Sequence, residues 1–170
     1  MERLQGEIDS ALAGMPKERW NAHPPGKWST AEILEHLCLT YTGTTKGFGR
    51  VLEAGKPQVT PATWRQRGRS LIVLGLGYLP SGRESPPFAR PRGLAKETVA
   101  EQIGANISEM DAIMQSCESK LGRSTKVLDH PILGPLTVAQ WRKFHLVHGL
   151  HHLKQIRGLQ ECDHQEREMK

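Results

Sequence analysis

The chain has 170 residues, 37% of them hydrophobic and 24% charged, with a formal net charge of +5. That is enough for one domain with one core, and too apolar for a disordered chain. No apolar run reaches the length of a membrane span and no signal peptide opens the chain, so a soluble cytoplasmic protein is expected. Cys38, Cys117 and Cys162 are few and far apart, form no CxxC pair and suggest no disulfide framework. The modest excess of positive charge favours anionic partners.

In chain order, Leu4, Ile8, Ala11, Leu12 and Met15 recur at helical spacing and predict a first helix over 1–15, stopped by Gly14 and Pro16. Residues 16–28 form a connection. Ser29, with Glu32 three positions on, has the pattern of a capping box and opens a long helix from Thr30 to Ala54. Its apolar face runs from Ile33 through Leu37, Tyr41 and Phe48 to Leu52, and His36 lies at the edge of that face. Thr40, Gly43 and Gly47 are small residues on the same stripe and permit close approach of another element or a ligand.

Residues 55–95 change character. They are rich in Pro, Gly and Arg, and Glu84 is their only acid. A short helix over about 62–79 is predicted, with Leu71-Ile72-Val73-Leu74 as its apolar patch. A loop follows to Arg92, of a length often tied to function. Lys96 to Leu121 is a third long helix, ended by Gly122. Residues 123–136 read as a loop, and no strand shows alternation. Thr137 then caps a final helix carrying Trp141, His145, His148, His151, His152 and Gln155. The segment 161–170 reads as a charged, frayed tail after a single domain spanning 1–160.

Four long helices with one long connection predict an all-α protein. The expected form is an up-down-down-up four-helix bundle, with a short extra helix and long loop between the second and third bundle helices. Bundle cores accommodate metal sites built from facing helices. His148 and His152, one turn apart, together with His36, can offer three imidazole nitrogens to one divalent ion and leave a coordination position open. Nitrogen ligands suit Zn, Ni, Cu or Fe, of which zinc or nickel is expected. His145 is a candidate wall residue. His151 points elsewhere, and His23 and His130 are expected to serve turns. Arg65, Arg67 and Arg69, with Arg83, Arg90 and Arg92, form a candidate anion-binding rim for an acidic substrate or a cofactor's carboxylates.

The motif Trp28-Ser29-Thr30-Ala31-Glu32-Ile33-Leu34-Glu35-His36-Leu37 resembles the opening of the DinB/YfiT-like family. The run from His148 through His152 to Gln155-Ile156 resembles that family's signature in its last helix. His130-Pro131-Ile132-Leu133-Gly134-Pro135-Leu136-Thr137 and Trp141 resemble the lead-in of one subgroup. The resemblance implies a bundle, commonly dimeric, with a divalent metal on His36, His148 and His152. It also implies, for some members, metal-dependent thiol transfer using a low-molecular-weight thiol. The expected function is therefore a metal-dependent enzyme of thiol-transferase or hydrolase type, activating a thiol or water on a small electrophilic substrate that is anionic or thiol-linked. The alternative is a non-catalytic bundle whose basic insert recruits an anionic partner. No catalytic acid or base is identifiable. A membrane is not expected as a partner, nor is nucleic acid.

Overall fold

The first long helix of the core starts where its capping box closes. Ser29 Oγ accepts from the Glu32 amide and the Glu32 carboxylate accepts from the Ser29 amide, which satisfies two otherwise orphaned donors at the helix start. The computed structural model describes residues 1–80 and 85–168, with side chains through residue 161. Arg83 and Glu84, counted above in the charge of the insert, and the side chain of Cys162 lie outside the described residues. Mostly helical, the chain runs through α1 (Glu2–Leu12), α2 (Thr30–Ala54), α3 (Trp64–Ser70), α4 (Lys96–Leu121), β1 (Leu128–His130), β2 (Gly134–Leu136) and α5 (Val138–Glu168). No helix among the described residues is long and apolar enough to cross a membrane.

α2 packs chiefly along α4, while α1 lies on α5 and α5 also meets α2 and α4. The core between them is aliphatic and aromatic, with Leu34, Tyr41, Phe48, Met110, Met114 and Leu153 fully buried. Burying such side chains contributes roughly 1.5–3 kcal/mol each and holds the helices together. Arg142 on α5 spans two acids of α4, Asp111 at 2.7 Å and Glu118 at 2.9 Å. α1 comes close to the backbone of α5 through Leu4. A Cβ built on Gly149 of α5 would lie 2.3 Å from Leu4 Cδ1, so a larger residue there would force the Leu4 side chain to shift.

Three expectations are corrected. Residues 123–136 are not simply a loop: β1 and β2 pair antiparallel, with Leu128 opposite Leu136 and His130 opposite Gly134. Gly134 takes a φ of 76° at the turn. The short helix is shorter than expected, giving way to a π-helical turn over Leu71–Gly75. Only Val73 and Leu74 of its apolar patch are buried, while Leu71 is 70% exposed. The last helix continues through Glu168, past the point where charge suggested fraying, because no proline or glycine stops it there.

The insert is tied down at both ends. Near its start, Thr60 donates from its amide and hydroxyl to the Asp129 carboxylate of β1, at 2.9 and 2.7 Å. At its far end, the buried Glu35 carboxylate of α2 accepts from the amides of Arg92, Gly93 and Leu94, at 2.7, 3.0 and 3.1 Å. β1 itself lies against α2 at Gly47, where an added Cβ would meet Leu128 Cδ2 at 2.8 Å. The small stripe on α2 therefore admits the hairpin.

Candidate metal centre

His36 comes from the second turn of α2, and His148 and His152 from successive turns of α5. All three are buried, and one donor atom from each lies within 4.8 Å of the others. Nε2 of His148 is 3.2 Å from Nε2 of His36 and 3.2 Å from Nε2 of His152. Two imidazole nitrogens on one tetrahedral zinc, each about 2.0–2.1 Å from it, stand roughly 3.3 Å apart. The observed edges match that spacing.

The hydrogen bonds on the far side of the rings decide which atoms are free. His36 Nδ1 donates to the Ala89 carbonyl at 2.7 Å. His152 Nδ1 donates to Gln155 Oε1 at 2.8 Å, and the Gln155 amide in turn donates to His151 Nε2 at 3.2 Å. Neutral rings with a proton on Nδ1 present bare lone pairs at Nε2. His148 then has two choices. With its proton on Nδ1, three lone pairs meet head-on. With its proton on Nε2, only one neighbour can accept, and Nδ1, which is buried without a partner, is left as an unpaired acceptor. A cation at the meeting point of the three Nε2 atoms removes the conflict. Protonation is an unfavourable substitute. Burial, first, and the neighbouring histidines, second, hold His148 well below its ordinary pKa and push His152 down to about 3. Burial also lowers His36, opposed by its bond to Ala89. These three residues therefore fit a divalent ion, and the bonds from Ala89 and Gln155 fix their rings for it.

The histidines line a cavity of about 1370 Å³ whose walls include Trp28, Ile33, Phe88, Ile132 and Phe144. The Trp28 ring lies 5.2 Å from that of His36 and 6.4 Å from that of His152. His145 is fully buried and lines the cavity too, with Nε2 3.1 Å from Thr44 Oγ1. Because the Thr44 hydroxyl donates to the Thr40 carbonyl, it accepts from His145. His151 is half-buried at the cavity wall rather than exposed. His130 serves its turn as expected, with Nδ1 accepting from the Ile132 and Leu133 amides, but it is also buried against Phe144.

Arg65, Arg67 and Arg69 are exposed on α3, and none of them lines this cavity; the cations that do are Lys27, Arg50 and Arg90. Burial raises the Cys38 thiol to about 11, which leaves it unreactive near neutrality. Reading the residues alone missed Glu35, which holds the insert beside His36. Its position next to a ligand on a capped helix was the available signal.

A family model described as "Protein of unknown function (DUF1569)" matches residues 10–158. The chain belongs to this family. No curated protein and no solved structure matches it. The DUF1569 match takes in all three histidines, Glu35 and the insert.

The burial of imidazoles in this DUF1569 chain has a consequence for acid stability. Desolvation pushes His130 down to about 4 and His145 to about 3, from an ordinary value of 6.5. Unfolding restores 6.5, so between those values the unfolded chain binds more protons. Stability is then lost as pH falls through 6.5 toward 4, by up to about 1.4 kcal/mol per pH unit for each ring. The melting temperature of the metal-free protein should drop steeply between neutral pH and the acid range. A flat profile over that range would contradict the burial of these rings.

Proposed function

We propose that this chain is a divalent-metal-dependent enzyme acting on a small electrophilic substrate. Its scaffold is read as an up-down-down-up four-helix bundle of the DinB/YfiT-like type. The convergence of three bare Nε2 atoms on the cavity wall carries the proposal. Zinc or nickel held by His36, His148 and His152 would supply the Lewis acidity that turns a thiol or a water into a nucleophile near neutral pH. The chain's own groups do the rest. Ala89 and Gln155 orient two of the ligand rings. Trp28, Phe88 and Phe144 offer an apolar wall for the substrate. Of the lining carboxylates, Glu32 is held in the cap of α2, and Asp129 accepts from Thr60 at Oδ2 while its Oδ1 is buried without a partner. A low-molecular-weight thiol is favoured over water as the nucleophile, because metal coordination would deprotonate a thiol without a separate strong base. An anionic group on that thiol or on the substrate would meet Arg50 or Arg90 rather than Arg65, Arg67 and Arg69.

The test is metal analysis of the purified protein, followed by turnover of alkyl and epoxide electrophiles with a panel of small thiols. Stoichiometric metal with thiol-dependent turnover is expected. Metal without turnover under any thiol or in water would return the chain to the non-catalytic reading. Absence of metal after reconstitution would remove the site itself.

A further inference from the structure

Among the described residues, the large hydrophobic side chains most exposed to solvent all fall between residues 59 and 94, inside the insert. Trp64 and Leu76 are 77% exposed, Leu71 70%, Tyr78 60% and Phe88 58%. Val73 and Leu74 of the π turn face inward, while no residue of α3 is buried and Trp64, Arg65, Arg67 and Arg69 are all exposed there. The Arg65 guanidinium lies over the Trp64 ring, 5.1 Å from its centre. The described part of residues 55–95 also carries Lys56, Arg90 and Arg92 and no acidic residue.

An exposed apolar patch of this kind marks an interaction surface, and its charge selects the partner. A second copy of the chain is disfavoured, because a closed two-fold contact would bring two patches of the same positive sign together. Nucleic acid would neutralise the arginines but gives Leu71, Ile72 and Leu76 nothing apolar to enter. A bilayer bearing anionic headgroups satisfies both halves of the pattern. Tryptophan, tyrosine and leucine side chains partition into the boundary between headgroups and acyl chains, and arginines pair with phosphates above it. We infer that α3, its π turn and the following residues through Tyr78 form an interfacial element that docks this protein on anionic membrane surfaces. That no helix among the described residues is long and apolar enough to cross a membrane does not bear on such a contact. Leu79, Pro80 and Phe88 of the same insert line the cavity, so docking would bring the cavity wall close to the bilayer. The inference is independent of any metal bound at the histidines.

Co-sedimentation with phosphatidylcholine vesicles, with and without phosphatidylglycerol, tests it on the full chain. Binding should rise at least about tenfold with the anionic lipid and fall with added salt. Trp64 is exposed whereas Trp20 and Trp141 are buried and Trp28 is half-buried at the cavity wall, so binding should shift tryptophan emission to the blue, and most of the shift should disappear in Trp64→Phe. Leu71→Ser with Leu76→Ser should cut binding by about tenfold or more while leaving the circular dichroism spectrum unchanged, since both side chains already face solvent. Equal, salt-insensitive binding to both vesicle types, or none to either, would overturn the inference. So would self-association in solution that the Leu71→Ser and Leu76→Ser changes abolish, which would assign the patch to a second copy.

Discussion

Replacing His148 with alanine should abolish tight metal binding while leaving the metal-free protein as stable as before, or more so. His148 is the shared member of the two short contacts, 3.2 Å from Nε2 of each partner. Without it the remaining two nitrogens give a site that is incomplete for zinc or nickel, and affinity should fall by more than the roughly 10–100-fold typical of losing a supporting hydrogen bond. In the metal-free chain the same substitution relieves a clash of lone pairs and removes a buried nitrogen that has no partner. It also opens a cavity, which pulls the other way. The two chains should diverge when metal is added. At a free concentration of about 1,000 times Kd the ion stabilises the parent by roughly 4 kcal/mol, and the variant should gain almost none of this. Melting curves with and without zinc or nickel measure both. An equal metal-induced rise in Tm for parent and variant would show that the ion binds elsewhere.

Glu35→Ala is expected to be the most damaging single change outside the ligands. The carboxylate is buried and accepts from three consecutive amides 57–59 residues away. Hydrogen bonds to a charged group contribute about 1.5–3 kcal/mol each, and stranding buried amide donors adds a penalty, although the amides can partly turn to water. A net loss of roughly 3–5 kcal/mol is expected, with Glu35→Gln recovering part of it. The effect should extend to the metal. Ala89, whose carbonyl fixes His36, sits three residues before Arg92 in the same segment. Freeing that segment should weaken metal binding by about 10–100-fold even though no ligand is touched. Calorimetric titration of the variant with zinc, alongside chemical denaturation, separates the two losses. Full metal affinity in a destabilised Glu35→Ala would mean that the insert and the ligand set are not coupled.

Much of the scaffold was legible from local chemistry. α2 begins at its capping box and ends at Gly55, and α4 ends at Gly122, because those signals act within a few residues. The clustering of the three histidines was legible as well, since helical spacing carries His148 and His152 to one face and His36 to the edge of another, and the motif resemblance joins them. What escaped notice depends on distant partners. β1 and β2 have three residues each, too few for an alternating pattern, and are held by the pairing itself and by Trp141, whose indole donates to the Leu128 carbonyl. Glu35 looks like an ordinary polar residue on a helix until the chain returns beside it. The arginines of α3 drew attention as a rim to the cavity by composition alone, but which way a short helix turns its charged side is decided by tertiary packing.

The seat of α1 on Gly149 has a practical meaning for work on this chain. Gly149 immediately follows one ligand and precedes the other by three residues, so Leu4 presses on the backbone that spaces the two imidazoles. The family match starts at residue 10, partway through α1. A fragment cut at that boundary would keep every ligand and yet lose the brace behind them. Metal affinity measured on it would report a loosened α5 instead of the native centre.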